Sequence, residues 1–174
     1  MTAADLVARL AVARIGDTYN QYAHAPHLLE RVHAYLASRA DAPFLLVGEA
    51  AGYRGARVSG LPFTSERQLT GTGPAEATAT IVQRTLAELG LAEQVLLWNV
   101  VPTHPHRPGL PQSNRPPTRA EMEAAEPFLD GLALGRRVVA VGRVAQARLA
   151  CEHVRHPSHG GAVAFREGVR LLLQ

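Results

Sequence analysis

The stretch PFLLVGEAAGYRG, Pro43 to Gly55, decides how the rest of the chain is read. Four consecutive apolar residues end in a glycine, the signature of a short strand buried on both faces, and the chain then enters a glycine-rich loop rather than an immediate helix. The same pattern returns twice. QVLLWNV (Gln94 to Val100) and RRVVAVG (Arg136 to Gly142) read as buried strands, and CEHVRH (Cys151 to His156) reads as a fourth. Between them lie helical patterns: AEATATIVQRTLAELG, stopped by Gly90, a segment from Thr118 towards Leu134, a short helix from Val144 to Leu149, and AVAFREGVRLLL at the end. Thr118 is placed to cap its helix, with Glu121 completing a capping box. Two further helices precede the first strand, one through Leu6, Leu10 and Ile15 and one beginning near Pro26.

Strands that alternate with helices predict an α/β fold, a three-layer α/β/α sandwich around a central four-stranded parallel sheet. In such folds ligands bind at the carboxyl ends of the strands. The unusual loops all leave from those ends, after Gly48, after Asn99 and after His156. At 174 residues and 47% hydrophobic content the chain fits one domain, residues 1–174, with one core. No apolar run reaches 18 residues, and the N-terminal segment is amphipathic and carries charges, so a soluble, cytoplasmic protein with no membrane partner is expected. The single cysteine, Cys151, excludes an internal disulfide, a multi-thiolate zinc site and a four-cysteine iron-sulfur cluster. The 18 basic residues are all arginine, and the net charge of +3 permits a polyanionic partner without requiring one. Arg54, Arg57, Arg67, Arg107, Arg115 and Arg155 fall in or beside loops, where a phosphate backbone could reach them.

The first loop, GEAAGYRGARVSGLPFTSE, has glycines at 48, 52, 55 and 60 that free backbone N–H groups for close approach to a ligand. It lacks the G-x-G-x-x-G spacing of a dinucleotide site, and its helix starts some 25 residues late. Glu49, at a strand end, is a candidate base, balanced against a solvated loop carboxylate. Phe63 is a candidate for stacking on a planar ligand, or a plug for the core. Asn99 ends an apolar strand and carries a donor and an acceptor suited to the edge of a flipped base, or to a simple turn cap. Trp98 reads as core. The segment from Pro102 to Pro117 holds six of the twelve prolines and reads as an ordered surface loop. His104 and His106 in that loop are expected to face solvent or DNA, and no metal site is expected there. RHPSHGG (Arg155 to Gly161) sets an imidazole, a hydroxyl and bare backbone at the end of a strand, a donor aimed into the mouth and further donors facing an anion.

Taken together these segments resemble the uracil-DNA glycosylase superfamily. GEAAGYRG is similar to its first motif, which in the iron-sulfur-containing branch runs Gly-Glu-x-Pro-Gly. GLPFTS is similar to the segment of the stacking phenylalanine, WNVVP to the strand end of the base-reading asparagine, NRPPTRAE to an Asn-Arg-x-Pro-Thr loop of that branch, and HPSHGG to the second active-site motif. The likeness runs in order from about Phe44 to Leu173. It implies hydrolysis of the N-glycosidic bond of uracil or a related deaminated base in DNA, with no cofactor, no metal and no obligate protein partner. Under it Gly48, Phe63 and Asn99 would hold the base, Glu49 and His156 would be catalytic, and Arg54, Arg57, Arg115, Arg155, Ser158, His159 and Gly160 would line the DNA. The alternative is a protein of the same fold that binds nucleic acid or a nucleobase without cutting. The sequence departs from the family in three places. The cluster cysteines are absent, Ala51 stands where the first motif has proline, and His159-Gly160-Gly161 stands where relatives carry an apolar wedge. A further branch traps uracil covalently through a histidine in the loop after the asparagine; His104 and His106 lie in that loop, but that branch's basic sequence around them is missing.

Overall fold

In the computed structural model, which describes residues 2–174, the sheet has four parallel strands in the order β3-β2-β5-β6. The strands are β2 (Phe44–Ala50), β3 (Val95–Val101), β5 (Arg137–Val141) and β6 (His153–Val154). The helices are α1 (Ala3–Val12), α2 (Gln21–His24), α3 (Pro26–Ser38), α4 (Ala56–Ser59), α5 (Glu66–Thr70), α6 (Ala77–Glu88), α7 (Arg119–Ala133), α8 (Arg143–Leu149) and α9 (Ala162–Leu173). Two short strands, β1 (Thr18–Tyr19) and β4 (His104–Pro105), pair antiparallel outside the main sheet.

Because side chains alternate across a strand, each central strand feeds two cores. Leu45, Val47, Leu96, Trp98, Val100 and Ala140 pack on one face with residues of α1, α3 and α7. Leu46, Val95, Leu97, Val139 and Val141 pack on the other with α6 and α9, through Val82, Leu86, Phe165 and Val169. The three layers expected from the sequence arise directly from this division. Trp98 is fully buried, as its place among apolar residues implied. The capping box of α7 forms as read: the Glu121 amide donates to Thr118 Oγ1 at 3.2 Å, and the Thr118 amide donates to Glu121 Oε2 at 2.8 Å.

Three details differ from the sequence reading. The loop after β2 is not wholly irregular, since α4 and α5 each form about one turn within it. The fourth strand is only two residues long. The proline-rich segment contributes β4, which clamps the N-terminal region through Thr18 and Tyr19. Among the described residues no helix is long and apolar enough to cross a membrane.

The chain passes from β2 to β3 on one side and later to β5 on the other, so the loops beyond β2 diverge at a switch in strand order. That crevice is where an open α/β sheet binds ligands.

Candidate active site

The parallel register sets Gly48 of β2 directly beside Asn99 of β3. Both sit at the carboxyl ends of their strands, on the face that carries Leu46, Val95 and Leu97. Phe63 completes the group. A Cβ on Gly48 would overlap the tip of the Phe63 ring and lie 2.8 Å from Asn99 Oδ1, so the bare glycine lets the ring and the amide meet over the strand end. Phe63 is buried and has φ of 49°, a left-handed conformation that an aromatic residue seldom adopts. Neighbours impose it: Gln83 of α6 donates to the Phe63 carbonyl at 3.1 Å and to Thr64 Oγ1 at 3.0 Å, and Ser59 Oγ donates to the Thr64 carbonyl at 2.6 Å. Asn99 is 4% exposed, yet none of the described residues hydrogen-bonds to its side-chain amide. A buried amide left open in this way is a site waiting for a polar edge.

Glu49, Phe63, Asn99 and His156 line one cavity of about 90 Å³ together with Gly52 and Glu76. Glu49 is half-buried, and burial alone raises its carboxyl above the usual range. His156 follows β6, and its Nδ1 accepts from the Ser158 amide at 3.2 Å, with Ser158 Oγ at 2.7 Å. A nitrogen that accepts from an amide carries no proton. Burial, and then the nearby His159 and Arg155, lower the His156 pKa, and the amide contact at Nδ1 makes Nε2 the nitrogen that carries the proton of the neutral ring. The loop is tight: a Cβ on Gly161 would collide with the His156 carbonyl. His159 has φ of 52°, and its Nδ1 reaches Ser158 Oγ at 3.0 Å, so the serine hydroxyl bridges two imidazoles.

The first-motif turn is pinned although Ala51 replaces proline. The Ala51 amide, which a proline would lack, donates to the Val101 carbonyl at 3.3 Å, and the Ala51 carbonyl accepts from His104 Nδ1 at 2.8 Å. Two residues on, the Tyr53 amide donates to Asn114 Oδ1 at 3.0 Å, which ties the NRPPT segment to the same loop. His104 therefore differs from its expected place. It is fully buried, not solvent-facing, with both ring nitrogens against carbonyls of Ala51 and Pro111, and it stacks on His106 at 5.8 Å between centroids.

The arginines divide. Arg115, expected at a phosphate, is engaged elsewhere: it makes a two-pronged bond to Glu121 at 2.6 and 2.8 Å and donates to the carbonyls of His106 and Pro116. A guanidinium so filled has few donors left for an anion. Arg57 is half-buried and lies over the Tyr19 ring at 5.1 Å. Arg54 is exposed and braced by Tyr53, with its Nε donating to the phenol oxygen at 3.0 Å. Arg155 is exposed and borders a groove of about 490 Å³ that shares His156 with the cavity of about 90 Å³. Ser158 and His159 line that groove, as do Arg143 and His153, which sequence reasoning passed over. Gly160, with φ of 74°, turns the same loop.

Residues 36–169 match the family described as the uracil DNA glycosylase superfamily. The chain belongs to that superfamily. Its absence of cluster cysteines is consistent with this placement, since Cys151 is the only cysteine. Among solved structures it is similar to wild-type SMUG2 of Pedobacter heparinus, with a TM-score of 0.70 and 15% identity, over 99% of this chain and 98% of that one. At that identity the likeness is one of fold, and it extends over nearly the whole chain. No curated protein sequence matches the chain.

Proposed function

We propose that this member of the superfamily is a monofunctional DNA glycosylase that removes uracil or a related deaminated base from DNA by hydrolysis of the N-glycosidic bond. The observation that carries the reading is the setting of His156, whose Nδ1 accepts from the Ser158 amide so that Nε2 is the ring nitrogen left to donate into the cavity it shares with Asn99 and Phe63.

The barrier dictates the chemistry. As the bond between sugar and base breaks, negative charge gathers on the departing base. A preorganised donor at its oxygen stabilises that charge without reorganising at the moment of reaction. His156 is such a donor. Phe63 offers a face for the flipped base to stack on, and the open amide of Asn99 matches the paired acceptor and N–H of a pyrimidine edge. Glu49 has a carboxyl raised by burial, and as a carboxylate it orients or deprotonates the attacking water. Outside the cavity, Arg155, Arg143, Arg54 and the Ser158–Gly160 turn present positive charge and backbone to a phosphate chain. Water is the only co-reactant, and no step calls for a metal or cofactor.

The test is direct. A single-stranded oligonucleotide with one uracil is incubated with the protein, treated with alkali and examined for scission at the uracil. Scission with the wild type, reduced by about two orders of magnitude or more in His156→Ala, is the expected result for loss of such a donor. Uncut DNA that nevertheless binds would instead mark a reader of nucleic acid or nucleobase.

A further inference from the structure

Glu76 has no part in that mechanism, yet it faces the same cavity. It stands immediately before α6 as the capping residue, but its side chain makes no capping bond. None of the described residues gives it an ion pair or a hydrogen bond either. The capping bond, the ordinary structural use of a carboxylate at a helix start, is therefore unfilled. The side chain is instead turned toward the cavity and partly buried, and burial raises its carboxyl above the usual range because no partner offsets it. It rests on the first-motif loop. A Cβ on Gly52 would lie 2.9 Å from Glu76 Oε1, and one on Gly55 would collide with Oε2. The two glycines, which the sequence alone presented as openings for a ligand, are filled by this carboxyl group.

We propose that Glu76 is a specificity-determining wall of the base pocket, whose carboxyl group, seated on Gly52 and Gly55, limits the cavity to an unsubstituted pyrimidine ring. The inference rests on the glycosylase reading for its substrate class and deepens it. A methyl substituent or a second ring pressed against this group would cover its oxygens without bonding them. A polar group left unpaired in that way discriminates more strongly than a merely tight apolar pocket.

The experiment compares Glu76→Ala, which removes the wall, with Glu76→Gln, which keeps its volume. Two quantities are measured for each: single-turnover release of uracil, thymine and hypoxanthine from oligonucleotides, and the affinity of the free bases by titration calorimetry. In Glu76→Ala the thymine-to-uracil and hypoxanthine-to-uracil ratios are expected to rise at least tenfold, in release and in affinity alike. In Glu76→Gln they stay within threefold of the wild type. Unchanged ratios in Glu76→Ala overturn the inference, and so does a rise in Glu76→Gln as large as in Glu76→Ala, because then volume is not what excludes. A wild type that releases no base strikes the glycosylase reading instead, and the base affinities still decide the role of Glu76. Since the side chain makes no bond, both variants should unfold at or above the wild-type temperature; Glu76→Ser replaces the alanine variant if that one fails to fold.

Discussion

Replacing Arg115 with methionine separates a fold role from a DNA role. The Arg115 side chain is 19% exposed and that of Glu121 only 3%, and the two share a forked pair at 2.6 and 2.8 Å. Glu121 is packed onto the bare backbone of Gly16, its Cγ 2.6 Å from where a Cβ there would stand. Methionine keeps most of the apolar stem but leaves the carboxylate buried with little beyond the Thr118 amide. Breaking a buried pair from one side costs about 3–5 kcal/mol. Because Arg115 retains some contact with water, the lower end, about 3 kcal/mol, is expected. For a domain of this size each kcal/mol moves the midpoint by about 2–4 °C, so thermal unfolding should shift down by about 6–12 °C. The pH dependence has a definite sign. The Arg115 bond holds the Glu121 carboxyl below its ordinary value of 4.5, so the pair's contribution is complete above that value and is lost as pH falls through the depressed one. The gap between wild type and variant should accordingly narrow in acid. Calorimetry from pH 7 down to pH 3 measures both effects. An unchanged midpoint, with a salt dependence of DNA binding shallower by about one phosphate contact, would refute this and return Arg115 to the DNA surface.

Gly48→Ala should push Phe63 and Asn99 apart, lowering stability by about 1–3 kcal/mol through overpacking and slowing single-turnover uracil release more than its stability loss explains; full activity would mean that the ring and amide do not need to meet there. In Glu49→Gln the acid limb of the rate profile should vanish. That limb belongs to a carboxyl raised above 4.5 by burial, so the wild-type rate falls as pH drops through the raised value; an unchanged profile in the variant would remove Glu49 as the base. Ser158→Ala loses the hydroxyl bridge but keeps the backbone amide that donates to His156 Nδ1, so nitrogen NMR should still find the proton on Nε2, with a rate loss equivalent to about 1 kcal/mol. A switch of the proton to Nδ1 would show that the hydroxyl, not the amide, sets the tautomer.

The sequence makes the scaffold legible because buried parallel strands are nearly continuous apolar runs, and PFLLVG and VLLWNV declare themselves without any partner in view. It also marks Gly48, Phe63, Asn99 and His156, each of an unusual type for its place in the chain. Pairings across the chain are hidden from it. Nothing in SNRPPTRAE shows that Arg115 closes onto Glu121, because the capping box already accounts for that glutamate. His104 looks like a solvent residue between prolines until β4 folds under the first-motif loop, where the carbonyls of Ala51 and Pro111 face its two ring nitrogens. Glu76 carries no local signal, since an acidic residue before a helix has a ready electrostatic explanation; only its position against Gly52 and Gly55 removes it. The alanine at position 51 is the converse case: a lost motif residue whose turn is fixed by an amide hydrogen bond that proline cannot make.

The two-residue strand β6 gives the site a division of labour. Gly48 and Asn99 stand on adjacent central strands, whereas His156 hangs beyond an edge strand registered to its neighbour only at His153 and Val154. Beyond the short ladder itself, the Ala140 amide donates to the Glu152 carbonyl and the Gly142 amide to the Val154 carbonyl where that edge meets β5. Fraying this edge withdraws the imidazole while leaving the stacking ring and the open amide where they are, so local opening requires far less than global unfolding. Under the proposed mechanism, recognition is anchored in the centre of the sheet and the charge-stabilising donor at its short edge, so that a base can remain seated while that edge opens and closes.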